Sequence, residues 1–173
     1  MSELGGERAA GPWQGGVVLD FTRSELFERT FEEGMELVEE TAAYLDGAGR
    51  QDSKLLSRTG ALAYASESMR LTTRLMQVAS WLLVQRAVRE GDMKPQDACD
   101  ERYRLGAQDI SRGEAPEGME ELPGGLLTLL ERSERLYERI LHLDRRMYID
   151  QDDSEGVNAV QSQFDRLKAA FGR

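Results

Sequence analysis

Cysteine and histidine are almost missing from this chain. Cys99 stands alone, so no intramolecular disulfide can form, and that usage fits a reducing compartment. His142 is the single histidine. Without a second histidine or a nearby cysteine it makes a poor zinc ligand, and no Ser–His–Asp order can be built around it. Di-metal sites in helix bundles draw a Glu-x-x-His from each of two helices, which one histidine cannot supply. Nothing in the spacing places Cys99 and His142 together as a dyad. Long hydrophobic runs are missing too. The longest uncharged apolar stretch, Met76 to Val84, falls well short of the ~20 residues that span a bilayer. The opening MSELGGERAAGPWQGG holds no apolar segment of a secretory signal. Asp150-x-Asp152-x-Ser154 starts like a calcium loop, but Glu155 stands where glycine is needed and Gln161 where a bidentate glutamate belongs. Gly47-Ala48-Gly49 lacks the spacing and the Lys-Ser/Thr pair of a phosphate loop. No catalytic residue, cofactor site or metal site is readable.

What the chain has in quantity is charge and helical periodicity. Its 173 residues are enough for one domain with a real hydrophobic core. Hydrophobic residues make up 40% and charged residues 31%, as in a soluble helical protein. The net charge of −10 makes nucleic acid and anionic membrane poor first partners. No period-two strand pattern occurs, and no internal repeat.

The expected fold is all-α: an antiparallel three-helix bundle with a short extra helix and flexible termini. Residues 1–19 are Gly-rich and lack a period, so they read as a disordered N-terminal arm carrying Trp13. Thr22 and Glu25 have the spacing of a capping box, with Phe21 and Leu26 at the staple positions. Phe27, Phe31, Met35, Val38, Ala42 and Leu45 then recur three or four apart, one face of a helix that Gly47 or Gly49 ends. Its outer side is an acidic strip (Glu28, Glu32, Glu33, Glu36, Glu39, Glu40) that reads as a solvated face or a docking surface.

A second helix is expected from about Asp52 to Glu90, with Gly91 as its stop. Leu62, Ala65, Met69, Thr72, Met76, Ala79 and Leu83 alternate three and four apart, a heptad-like seam read as the main core stripe. Tyr64, Leu71, Leu75, Val78 and Leu82 form a second stripe beside it, widened by Trp81. A helix apolar on more than one side must be covered on more than one side, and a second copy of the chain would do so. Leu75, Val78, Trp81 and Leu82 are the expected dimer contacts. The helix is also basic, which favours pairing with the acidic helix before it. Pro95 opens a short helix over 95–105, and 106–118 is polar and Gly-bearing. A third long helix is expected over 123–149, burying Leu126, Leu130, Tyr137, Ile140 and Met147. Asp150, Asp152, Asp153 and Glu155 lead to Gly156 as an acidic linker, and Val160, Phe164, Leu167 and Phe171 mark a short amphipathic segment. The chain therefore divides into an arm (1–19), a bundle (20–149) and a flexible tail (150–173) whose apolar residues are candidate partner contacts.

Two blocks carry a family likeness. The segments EGMELVEETAAYLD (33–46) and YASESMRLTTRLMQ (64–77), continued by ASWLLVQRAV (79–88), resemble the RcdA family of regulators of CtrA degradation, over roughly residues 20–148. That resemblance implies a dimeric three-helix bundle with a flexible C-terminal tail. It implies a non-enzymatic adaptor for the ClpXP protease in the destruction of cell-cycle proteins such as CtrA. A receiver-domain response regulator would prime the protease, and a cyclic-di-GMP-binding effector or a substrate would dock on the adaptor. The expected location is the cytoplasm, with recruitment to the cell pole. Two other readings compete. Arg58, Arg70, Arg74, Arg86 and Arg89 could serve a helical nucleic-acid-associated regulator, against the net charge of −10. A small enzyme with a site at the dimer seam has no motif to support it.

Overall fold

In the computed structural model, the backbone is described for residues 14–105 and 115–171, and side chains for 16–105 and 115–147. Regular structure there is entirely helical: α1 (Gln14–Thr22), α2 (Glu25–Asp46), α3 (Ala48–Ser53), α4 (Arg58–Glu90), α5 (Pro95–Ala98) and α6 (Gly124–Phe171). Two 3-10 turns, Glu101–Tyr103 and Met119–Glu121, lie between α5 and α6.

The three long helices pack on one another, and the pairing of their side chains gives their directions. Glu28 meets Arg89 and Gly34 lies against Leu82, so α2 and α4 run antiparallel. Tyr44 lies against Gly125, and Glu40 and Glu33 reach Arg132 and Arg139, so α2 and α6 are antiparallel too. Arg74 reaches Ser133 and Trp81 reaches Asp144, which leaves α4 and α6 parallel. This is an up-down-up bundle. The return from α4 to α6 requires the long connection that contains α5 and the two 3-10 turns.

Several boundaries differ from the sequence reading, each for a local reason. The segment expected as disordered to residue 19 is helical from Gln14, because Val18 is buried and α1 packs against α4 and α5. Trp13 lies outside the described residues. Thr22 does not cap α2. It ends α1, and its hydroxyl donates back to the Leu19 carbonyl. Ser24 is the cap, its Oγ accepting from the Phe27 amide at 3.2 Å. Gly47 ends α2 at φ −112°, outside the left-handed region, with its N–H returned to the Ala43 and Tyr44 carbonyls. Gly49 is needed for space instead: a Cβ there would sit 2.6 Å from the Tyr44 ring and the Tyr64 hydroxyl. The long fourth helix starts at Arg58, capped by Ser57, and Asp52 belongs to α3. Ser57 in turn donates from its amide and hydroxyl to Glu121, tying the α6 approach to the start of α4. Gly91 closes α4 in the left-handed conformation at φ +83°, as expected.

The helix expected over 95–105 is only Pro95–Ala98. Asp100 interrupts it: its backbone is extended and its side chain accepts from the Arg102 amide. The last helix does not stop near 149. α6 continues to Phe171 through the acidic segment expected as a linker. Asp and Glu are not helix breakers, and a single glycine such as Gly156 costs a helix only about 1 kcal/mol. Side chains beyond Met147, including Val160, Phe164, Leu167 and Phe171, lie outside the described residues.

The core is built from Phe27 and Leu37 of α2, Leu71, Leu75, Val78, Trp81 and Leu82 of α4, and Leu126, Leu136 and Ile140 of α6. On α2 the buried line is Phe27, Thr30, Gly34, Leu37 and Thr41, rotated from the expected one. Gly34 sets the helix spacing, since a Cβ there would lie 2.5 Å from Leu82 Cδ1.

Candidate protein-interaction surface

α4 carries two apolar stripes, and among the described residues only one is covered. The expected secondary stripe is the core side: Leu71, Val78 and Leu82 are fully buried, with Leu75 almost so. Leu75, Val78, Trp81 and Leu82, expected as dimer contacts, are therefore occupied within the chain. No second copy can reach them while the bundle is closed. The expected main stripe faces outward. Leu62, Met69, Met76 and Leu83, each seven residues from the next, are 66%, 72%, 65% and 52% exposed. Ala65, Ser66, Thr72, Thr73 and Ser80 are exposed around them. The ionisable residues of this stretch, Glu67, Arg70 and Arg74, lie buried or half-buried instead. The result is an uncharged face, six turns long, on a chain in which 31% of residues are charged.

Burying those charges has its own chemistry. Arg74 donates to Ser133 Oγ at 2.8 Å and to the Leu130 carbonyl at 3.4 Å, and burial lowers its pKa. Glu67 pairs with Arg70 at 3.3 Å. Asp144 of α6 accepts from Trp81 Nε1 at 2.9 Å and lies 3.6 Å from Arg104 Nε. Burial raises the Asp144 pKa, opposed by the Trp81 N–H, the Arg104 charge and a backbone hydrogen bond from Leu105. Asp144 thus ties the first part of the connection between α5 and α6 onto the core.

Beside the exposed stripe runs a groove of about 460 Å³. Met76, Gln77, Trp81 and Val84 of α4 form one side, and Arg102, Tyr103 and Leu105 form the other. Arg102 stacks over the Tyr103 ring at 4.7 Å.

The charged strips are less available than their sequence indicated. On α2, Glu28, Glu33 and Glu40 pair with Arg89, Arg139 and Arg132. Such exposed pairs add little stability, but they reduce the net field of the strip. The five arginines of the nucleic-acid reading do not form one face: Arg58 is exposed at the start of α4, Arg74 is buried, Arg70 pairs with Glu67, Arg86 pairs with Glu90 at 2.7 Å, and Arg89 pairs with Glu28. His142 is exposed on α6, and Cys99 is half-buried with its thiol directed to the Pro95 carbonyl. No helix among the described residues is long and apolar enough to cross a membrane.

A helical bundle with one uncharged helix face left open belongs to a defined group of sequences. Residues 18–171 match the model of the family described as protein of unknown function (DUF1465), and this chain is a member of that family. Among solved structures it is similar to RcdA from Caulobacter crescentus, at 69% identity over 76% of this chain and 98% of that one, with a TM-score of 0.61. The family likeness read from the two sequence blocks is thereby shown. No curated protein matches the chain.

Proposed function

We propose that this protein is a non-enzymatic adaptor that promotes regulated degradation of cell-cycle proteins such as CtrA by the ClpXP protease. The observation that carries the reading is the 69% identity to RcdA across 98% of that chain. The open α4 face fits a protein that works by assembly, since an apolar face its own fold leaves uncovered is available to another chain. In this reading the protein docks on a protease-bound receiver-domain response regulator and presents a substrate or a cyclic-di-GMP-binding effector. It works in the cytoplasm and is recruited to the cell pole. The tail, 150–173, adds a second docking element through Val160, Phe164, Leu167 and Phe171.

The occupant proposed for the α4 stripe is a second copy of the chain. The stripe is its own complement: a two-fold axis near Thr72 and Thr73 would bring Met69 of one copy to Met76 of the other, and Leu62 towards Leu83. An uncharged face can meet itself without like-charge repulsion, which a charged strip cannot.

Reconstituted degradation tests the adaptor reading. ClpXP, the receiver-domain protein and labelled CtrA are mixed with and without this protein and its effector. Faster substrate loss that requires this chain is the expected result, and unchanged loss rejects the reading. The 1–149 truncation is expected to fold and to lose delivery of at least one substrate.

A further inference from the structure

We propose that the groove between α4 and the Glu101–Leu105 connection binds an extended peptide segment of a partner protein, one that places a carboxylate beside an apolar side chain. Three features of the groove converge on that chemistry. Val84 gives it an apolar wall above the buried Trp81 ring, and Tyr103 closes the opposite side. Its charged lining residues are Arg102 and Arg104, both cationic, on a chain whose net charge is −10. Gln77 also lines the groove, and its side-chain amide is a hydrogen-bonding group of the kind that pairs with peptide backbone.

The two arginines differ in role. Arg104 is held by the buried Asp144 at 3.6 Å and keeps the connection in place. Arg102 is the one able to take a ligand. Its guanidinium is oriented by the Tyr103 ring, and its other partner, Asp100, is an exposed carboxylate at 3.6 Å. Exposed pairs of that kind contribute little, so an incoming carboxylate can replace Asp100. A volume of about 460 Å³ suits a short peptide segment and excludes a folded domain. Two cations on an acidic chain are too few for nucleic acid or an anionic membrane.

The inference deepens the adaptor reading, because the peptide would belong to a delivered or docking protein, but the binding itself needs no protease. The test uses the full chain and a fluorescein-labelled hexapeptide alternating Leu and Asp, read by anisotropy, beside the same peptide with Lys for Asp. The Leu/Asp peptide is expected to bind at least about tenfold more tightly, a difference of ~1.4 kcal/mol. Arg102→Glu and Val84→Glu should each remove most of that binding, while Arg102→Glu should improve binding of the Lys peptide. Leu55→Ser, on the exposed turn before α4 and outside both the groove lining and the α4 stripe, should leave it unchanged. Arg102 is well exposed, so its replacement does not threaten the fold. Equal binding of the two peptides, failure of both to bind, or indifference to Arg102→Glu overturns the proposal. The two readings fail separately. Peptide binding without stimulated degradation keeps the groove and loses the adaptor. Degradation stimulated equally by wild type and Arg102→Glu, together with Arg102-independent peptide binding, loses the groove and keeps the adaptor.

Discussion

The two stripes of α4 are made of the same residue types and meet opposite fates. Leu71, Leu75, Val78 and Leu82 are buried, while Leu62, Met69, Met76 and Leu83 stand more than half exposed. The exposed stripe has the more regular spacing. The buried side is interrupted by Glu67, Arg74 and Gln85, residues that ordinarily mark a surface. Periodicity therefore identifies apolar faces but does not rank them. The ranking comes from what the neighbouring helices supply. α6 offers Ser133 and the Leu130 carbonyl to Arg74, and α2 offers the close approach at Gly34. Among the described residues nothing comparable approaches the Met69 side.

Substitutions on the two sides should separate them sharply. The largest effect is expected for Leu75→Ala, which leaves a cavity in the core and should cost about 2–5 kcal/mol in urea denaturation. Trp81→Phe should follow, losing roughly 1.5–3 kcal/mol, because it removes the N–H donor from the buried Asp144. Gly34→Ala forces a Cβ to within 2.5 Å of Leu82 Cδ1. Overpacking of that kind should cost on the order of 1–3 kcal/mol and show as a lowered Tm. At the far end, the double variant Met69→Ser with Met76→Ser should change monomer stability by less than about 0.5 kcal/mol. It should nonetheless abolish self-association in light scattering. If that double variant proved as damaging to the fold as Leu75→Ala, the contrast between the stripes would be wrong.

pH sharpens the comparison from the buried side. Burial raises the Asp144 pKa above its ordinary 3.8. The folded protein therefore holds that proton to higher pH than the unfolded chain does. Its contribution to stability is complete below 3.8 and is lost as pH rises through the folded pKa. Asp144→Asn cannot titrate, so denaturation curves of the variant across that window should lack this downward component.

Much of the architecture was legible in the sequence. The all-helical class, the Gly91 stop and the burial of Leu126, Ile140 and Met147 on α6 follow from local spacing and capping chemistry, whereas Leu130 and Tyr137 are only half-buried and Leu129 is buried beside them. Family membership was legible in the two blocks around residues 33–46 and 64–77. Other features were hidden because their causes are distant in the chain. Arg74 is 59 residues from its partner Ser133, and Trp81 is 63 from Asp144. No local pattern announces such pairs. The α1 helix was hidden for a related reason. Its Gly-rich, low-charge sequence has little intrinsic tendency to order, and its helix is held by packing against α4 and α5.

The hydrogen bond between Trp81 and Asp144 also furnishes the molecule with its own optical reporter. The indole sits in the core directly beneath the groove, under a carboxylate that also grips the connection forming the opposite wall. With Trp13 replaced by phenylalanine, all indole emission would come from that one position. Anything that seats in the groove or pulls the connection away would alter the indole's solvent exposure or the field it feels. Occupancy would then be readable as a spectral shift, without attaching a dye to either partner.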